Sequence, residues 1–308
     1  MTFKSLADDV VFKSSNPLDP RLSAFLTDNQ KDATVHIWGY PDDEGIQLNG
    51  GRVGASAAPD SIRKAFYKMT PGPLLDSKFK IWDAGNLSTQ LPLANRHELA
   101  YQRVRDSLEK KKFVLTMGGG HDYGYPDAKG FIEVFKRSKK KPLVINFDAH
   151  MDVRPLNNGL TSGTPFYRLL SEYADDLHFF EVGIQDHCNS KEHIKWCEKK
   201  KGKILYQSEI EKKGLLPVLK KTFSKYKNHP TFISVDIDGF SSSVAPGCSQ
   251  SWPTGFQAQE FFISLDYLFA HLDVKNLGIY EVSPPLDLGP LTSRLAALIL
   301  YRSLTSKG

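Results

Sequence analysis

Apolar residues in this chain gather in short, β-rich runs separated by longer stretches of helical periodicity. The runs are 34–39 (T-V-H-I-W-G), 79–83 (F-K-I-W-D), 113–117 (F-V-L-T-M), 143–148 (L-V-I-N-F-D), 178–183 (H-F-F-E-V-G), 203–206 (K-I-L-Y), 231–238 (T-F-I-S-V-D-I-D) and 276–282 (N-L-G-I-Y-E-V). Between most of them lie amphipathic helical patterns, such as 59–69 with Pro59 at a helix start, 95–111 and 287–304. Alternating β and α segments with near-continuous apolar strands predict an α/β protein. The expected form is a three-layer α/β/α sandwich around a mainly parallel sheet of about eight strands. Residues 1–30 are polar and contain proline, and read as an N-terminal arm on the surface. Residues 31–308 read as a single domain, a size that α/β folds commonly reach.

Ligand sites in such sheets lie at the carboxyl ends of the strands. Four runs end in groups that a buried strand has no structural reason to carry. The 113–117 run leads into G-G-G-H-D-Y-G (118–124), and 143–148 into D-A-H-M-D (148–152). The 231–238 run ends in D-I-D (236–238), and the last carries Glu281. If each strand continues through its motif, residues two apart share a face. Asp148, His150 and Asp152 then point one way while Ile145, Phe147, Ala149, Met151 and Val153 face the helix layer. Asp236 and Asp238 are paired in the same manner, and His121 arrives from a third strand end after a flexible glycine run.

Any one of these motifs is ordinary as a cap or a hydrogen-bonded core residue. Together they bring four carboxylates and two imidazoles to one edge. Without a cation, that many carboxylates repel and their pKa values rise. One divalent ion takes about six ligands at most, and carboxylates bridge, so two ions roughly 3.5–4 Å apart with a shared hydroxide are expected. Oxygen-rich ligation with some imidazole suits Mn²⁺ best; Fe, Co and Ni stay open, and the lack of thiolates argues against structural Zn²⁺.

Composition adds limits. The net charge of +5 is mild. Lysine runs at 110–112, 136–141, 199–203 and 220–227 each precede a strand, where helix C-termini favour cations. They lie away from the acidic edge, so no nucleic-acid surface is expected. Cys188, Cys197 and Cys248 are odd in number and lack C-x-x-C spacing, which fits a reducing compartment. The first residues show no long apolar segment, so no signal peptide or membrane span is expected, and the location is read as cytoplasmic.

G-G-G-H, D-A-H-M-D and S-V-D-I-D (234–238) resemble the metal motifs of the ureohydrolase superfamily, which contains arginases, agmatinases and formimidoylglutamases. The resemblance spans about residues 35–300 and implies the arginase-like fold. It implies two Mn²⁺ ions held by His121, Asp148, His150, Asp152, Asp236 and Asp238. Glu281 in E-V-S-P-P would hold the amidine or guanidine of a small-molecule substrate, and Asp152 would also hydrogen-bond the attacking hydroxide. The implied reaction is hydrolysis of a linear C–N bond. Because relatives are often trimers or hexamers, a homo-oligomer is implied as well.

The formimidoylglutamase branch is the most similar. D-E-G-I-Q-L-N-G-G-R-V-G-A (43–55), S-G-T-P-F (162–166), G-I-Q followed by C-N-S-K, and A-P-G (245–247) resemble its signatures. Ser162 stands where arginases and agmatinases carry the histidine of H-G-x-P, thought to shuttle protons. Arg154 stands where arginases carry a neutral amide, and its fork suits a second substrate carboxylate. An ion pair of Arg154 with a neighbour such as Asp152 is the alternative. Two departures touch the substrate rim: Asp238 is followed by G-F-S-S-S, with Ser241–Ser243 in place of the usual D-P, and Asp122 replaces Glu or Ser. Hydrolysis of another guanidino compound, or a non-catalytic metal-binding role, are the competing readings.

Overall fold

The computed structural model describes residues 3–7, 9–74 and 79–307. Its strands are β1 (Phe3–Lys4), β2 (Val35–Tyr40), β3 (Ile81–Leu87), β4 (Phe113–Gly118), β5 (Leu143–Phe147), β6 (His178–Ile184), β7 (Lys203–Tyr206), β8 (Pro230–Asp236) and β9 (Asp273–Tyr280). They form one nine-stranded sheet in the order β1-β3-β2-β4-β9-β8-β5-β6-β7. Every pairing is parallel except β1 with β3. The eight expected strands are all present. The ninth comes from the N-terminal arm, where Phe3 and Lys4 pair antiparallel with Leu87 and Asn86. The arm is tied down further by Leu22 and Val10, both buried; residues 1, 2 and 8 of it lie outside the described residues.

Strand alternation sorts the core into two layers. Ile37, Leu115, Ile145, Ile233 and Leu277 face one side, packed with the helices Ala58–Phe66, Leu215–Phe223, Ala258–His271 and Leu291–Thr305. Trp38, Val114, Val144, Phe179 and Phe232 face the other, against Leu93–Glu109, Gly124–Phe135 and Pro165–Tyr173. Strands β2, β4, β5 and β8 are buried along their whole length. Among the described residues, no helix is long and apolar enough to cross a membrane.

The lysine runs lie at the amino ends of the strands and are largely used. Lys112 Nζ donates to the carbonyls of Lys31 and Ala33 at 2.8 and 2.6 Å, and Lys140 Nζ to that of Lys227 at 2.7 Å. The same end holds a buried base. His36 hydrogen-bonds Ser107 Oγ at 2.9 Å, and burial, helped by Lys112 and Lys110, lowers its pKa to about 4. The unfolded chain therefore takes up this proton first as the pH falls from its ordinary value of 6.5. Stability is expected to decline by about 2 kcal/mol, after allowance for screening, as the pH falls from 6.5 to about 4, with no further loss from this group below that. Thermal melting across that range checks it: His36→Gln should flatten the slope, and an unchanged slope would assign the acid sensitivity elsewhere.

Candidate metal centre

The four adjacent strands β4-β9-β8-β5 sit at the middle of the sheet, and their carboxyl ends carry all the acidic and imidazole motifs. The route differs from simple strand continuation. Strand β5 ends at Phe147 and β8 at Asp236, and the chain turns before the motifs are complete. Asp148 Oδ1 accepts from His150 N at 2.7 Å, and Asp236 Oδ1 from Asp238 N at 2.9 Å. These side-chain turns, not the two-residue alternation of a strand, aim the ligands. Asp152 and Glu281 have φ of 46° and 64°, in the left-handed region that side chains avoid. Such strain costs about 1–3 kcal/mol each and persists where surrounding contacts impose it. Here Glu281 N donates to Gly119 O at 2.9 Å, and Asp152 O accepts from Phe166 N at 3.1 Å. Gly119 has no alternative residue: a Cβ there would stand 1.7 Å from the Asp42 carbonyl oxygen.

Two clusters result. His121 Nδ1 faces Asp148 Oδ2 at 3.2 Å, Asp152 Oδ2 at 2.9 Å and Asp236 Oδ2 at 3.0 Å. His150 Nδ1 faces Asp238 Oδ2 at 2.9 Å and Asp148 Oδ1 at 3.7 Å. Asp148 belongs to both, one oxygen to each. His121 Nδ1 and Asp238 Oδ1 are buried, and neither has a hydrogen-bond partner of acceptable geometry. An imidazole nitrogen surrounded at about 3 Å by three carboxylate oxygens is the arrangement a shared cation satisfies. All six predicted ligands are brought together, and the donor set fits two divalent ions.

The electrostatics agree. Burial pushes Asp236 and Glu281 well above the usual carboxylate range, reinforced by neighbouring carboxylates, and Asp238 up to about 6. Burial opposes charge on His121, but Asp148, Asp152 and Asp236 override it and hold the imidazole pKa well above its usual value. His150 is raised likewise, chiefly by Asp238.

The basin opens into a cavity of about 230 Å³ lined by His150, Asp152, Asp236, Asp238, Glu281, Arg154 and Ser162. Glu281 Oε1 accepts from His121 N at 3.0 Å. Asp152 pairs with His121 rather than Arg154, whose guanidinium is exposed toward the cavity. Ser162 Oγ accepts from Asn49 Nδ2 at 3.2 Å, which leaves its own proton to donate. A Cβ on Gly163 would meet Arg154 Cδ at 2.7 Å and Asn49 Nδ2 at 3.2 Å, so these two side chains converge over that glycine. Larger clefts of about 350, 370, 530 and 780 Å³ contain none of these acids.

Sequence reasoning missed the layer beneath. Thr116, Gly278, Ser234, Asn146 and Glu181 are register partners across five strands. Ser234 Oγ holds His121 Nε2 at 2.8 Å, and Asn146 Nδ2 donates to Asp148 Oδ2 at 3.1 Å and Glu181 Oε2 at 2.8 Å. Such groups fix ligand orientation. The available signal was a polar residue inside each apolar run, two places before a ligand in β5 and β8. Also unforeseen were Asn49, Ser249 and Gln250 at the cavity wall. Arg52 secures Ser249, donating to its carbonyl and to that of Cys248. The departures have structural uses. Ser241 Oγ donates to Pro253 O at 2.8 Å and shapes the 240–256 loop. Asp122 Oδ2 accepts from His97 Nε2 at 2.7 Å, while His97 Nδ1 accepts from Arg168.

Comparison with known proteins follows this geometry. Residues 33–305 match the model of the arginase family. The chain is 32% identical over 263 residues to the formimidoylglutamase of Bacillus subtilis (strain 168), covering 82% of this chain and 81% of that one. It is 30% identical over 272 residues to that of Clostridium tetani, covering 85% and 80%. Among solved structures it resembles Trypanosoma cruzi formiminoglutamase with Mn²⁺₂ at a TM-score of 0.84 and 30% identity, over 94% of this chain and 98% of the other. On this match the chain belongs to the arginase family.

Proposed function

We propose that the protein is a formimidoylglutamase, which hydrolyses N-formimino-L-glutamate to L-glutamate and formamide with two Mn²⁺ ions. The observation that carries this reading is the joint presence of a split six-ligand basin and a free arginine at its mouth. The relatives named above support the same assignment. His121, Asp148, Asp152 and Asp236 would hold one ion, and Asp148, His150 and Asp238 the other. Bound there, the ions supply Lewis acidity and lower the pKa of water so that a hydroxide nucleophile exists near neutral pH.

The chain's own groups do the rest. Glu281, fixed by His121 N, receives the N–H groups of the cationic formimino end. Asp152 lies at the cavity wall, where its carboxylate accepts a hydrogen bond from the nucleophile. Arg154 takes a glutamate carboxylate, with Asn49 and Ser162 as neutral donors beside it. Water adds to the formimino carbon, the bond from that carbon to the glutamate nitrogen breaks, and the nitrogen takes a proton. The water oxygen leaves in formamide. A cavity of about 230 Å³ suits an amino-acid-sized substrate rather than a polymer.

The test is release of formamide and glutamate by Mn²⁺-loaded protein, run beside a urea assay on arginine and agmatine. Urea without formamide would replace this reading with the arginase- or agmatinase-like one. For Arg154→Ala, we expect about a 100-fold loss in kcat/KM, borne mainly by KM, with metal content unchanged. An unaltered KM would remove Arg154 from substrate binding.

A further inference from the structure

Asp127 is fully buried in the helix Gly124–Phe135 and has no cationic partner among the described residues, yet three hydroxyls converge on it. Tyr40 donates to Oδ1 at 2.5 Å; Thr116 and Tyr280 each donate to Oδ2 at 2.6 Å. The mechanism uses none of these groups. Tyr280 connects them to the metal centre in two ways. Its ring stacks on His121, with centroids 4.8 Å apart and planes 21° from parallel. It is also the last residue of β9, immediately before Glu281 in its left-handed conformation. The phenol reaches Asp127 by lying back over Gly278, where a Cβ would stand 2.1 Å from the hydroxyl oxygen.

We propose that Asp127 is a positioning residue for the metal centre, acting through Tyr280 on the plane of the His121 imidazole and on the backbone at Glu281. This rests on the metal-binding reading above. Ser234 holds His121 at Nε2 and Phe166 meets the ring edge-on, centroids 5.3 Å apart, which leaves the ring some freedom to tilt on its other face. The stacked Tyr280 ring removes that freedom, and Asp127 with Thr116 locks Tyr280. A carboxylate is required because all three neighbours are O–H donors. An amide at this site would present N–H groups to one of them.

The same hub supplies its own control. Tyr40 donates to Asp127 from an equally buried position, but its ring stacks on Tyr123 rather than His121. Tyr40→Phe also orphans Trp38 Nε1, which donates to Tyr40 at 2.9 Å. It should therefore lower thermal stability and leave metal affinity alone.

The experiment is calorimetric titration of metal-stripped full-length protein with Mn²⁺. The variants are Asp127→Asn, Tyr280→Phe, the double variant and Tyr40→Phe. A parallel series carries Asp238→Ala, which leaves only the His121 cluster intact. The expected result is a loss of about 10- to 100-fold in affinity at the His121 cluster for Asp127→Asn and Tyr280→Phe. The double variant should be no worse than Asp127→Asn, because the two act in series. Tyr40→Phe should bind both ions as wild type does. Wild-type affinities in Tyr280→Phe, or equal weakening by Tyr40→Phe, would overturn the proposal. Tyr280→Phe loses one oxygen and decides the matter if Asp127→Asn does not fold. Failure of the wild-type protein to bind two ions would overturn the metal reading itself, and this inference with it.

Discussion

Asp148→Asn is expected to abolish turnover, with kcat reduced by at least about four orders of magnitude. It is the one side chain shared by both clusters, with Oδ2 toward His121 and Oδ1 toward His150. An asparagine keeps the shape and supplies one neutral oxygen, so one cluster loses a ligand outright and the other loses a charge. Both ions should therefore be lost or loosened together. Asp238→Asn, in contrast, touches one cluster and should spare the ion at His121. Elemental analysis after dialysis, read beside formamide release, checks the pair. Full occupancy of both ions in Asp148→Asn would mean that this residue does not bridge.

The second large effect is expected at Glu281. Glu281→Gln should lower kcat/KM by about 10²- to 10³-fold while leaving metal content and fold intact. The amide oxygen can still accept from His121 N, so the bond seen at 3.0 Å survives. What disappears is the negative charge facing a cationic substrate end inside a buried site, where its partner is costly to leave unpaired. If kcat/KM is unchanged, the cationic end is held by another group. Glu281→Gly provides a companion measurement. It relieves φ of 64° but orphans the buried His121 N–H, so melting should change little as activity collapses.

Much of the fold was legible because its strands are buried on both faces. A run such as L-V-I-N-F needs no alternation to be read as an interior strand. The N-terminal strand was not legible. Phe3–Lys4 is too short to carry a pattern, and it exists because β3 offers an edge at Asn86 and Leu87. The Asp127 hub was invisible for a related reason. Its carboxylate lies in a helix that reads as amphipathic, and its partners come from positions 40, 116 and 280.

By itself the sequence determined the kind of chemistry. Carboxylates and imidazoles that end apolar strands are too expensive to bury without a cation, and that cost depends on residue type and local pattern alone. The tertiary structure decided how they are shared. Pairing β4 with β9 and β5 with β8 brings distant chain segments into adjacent rows, Val114 beside Asn276 and Leu143 beside Thr231, and lets His121 reach Ser234 across 113 residues. The split into two clusters, the bridging place of Asp148, the left-handed turns at Asp152 and Glu281, and the supporting row from Thr116 to Glu181 all follow from that pairing. They rest on contacts between distant segments, and no periodicity along the chain encodes them.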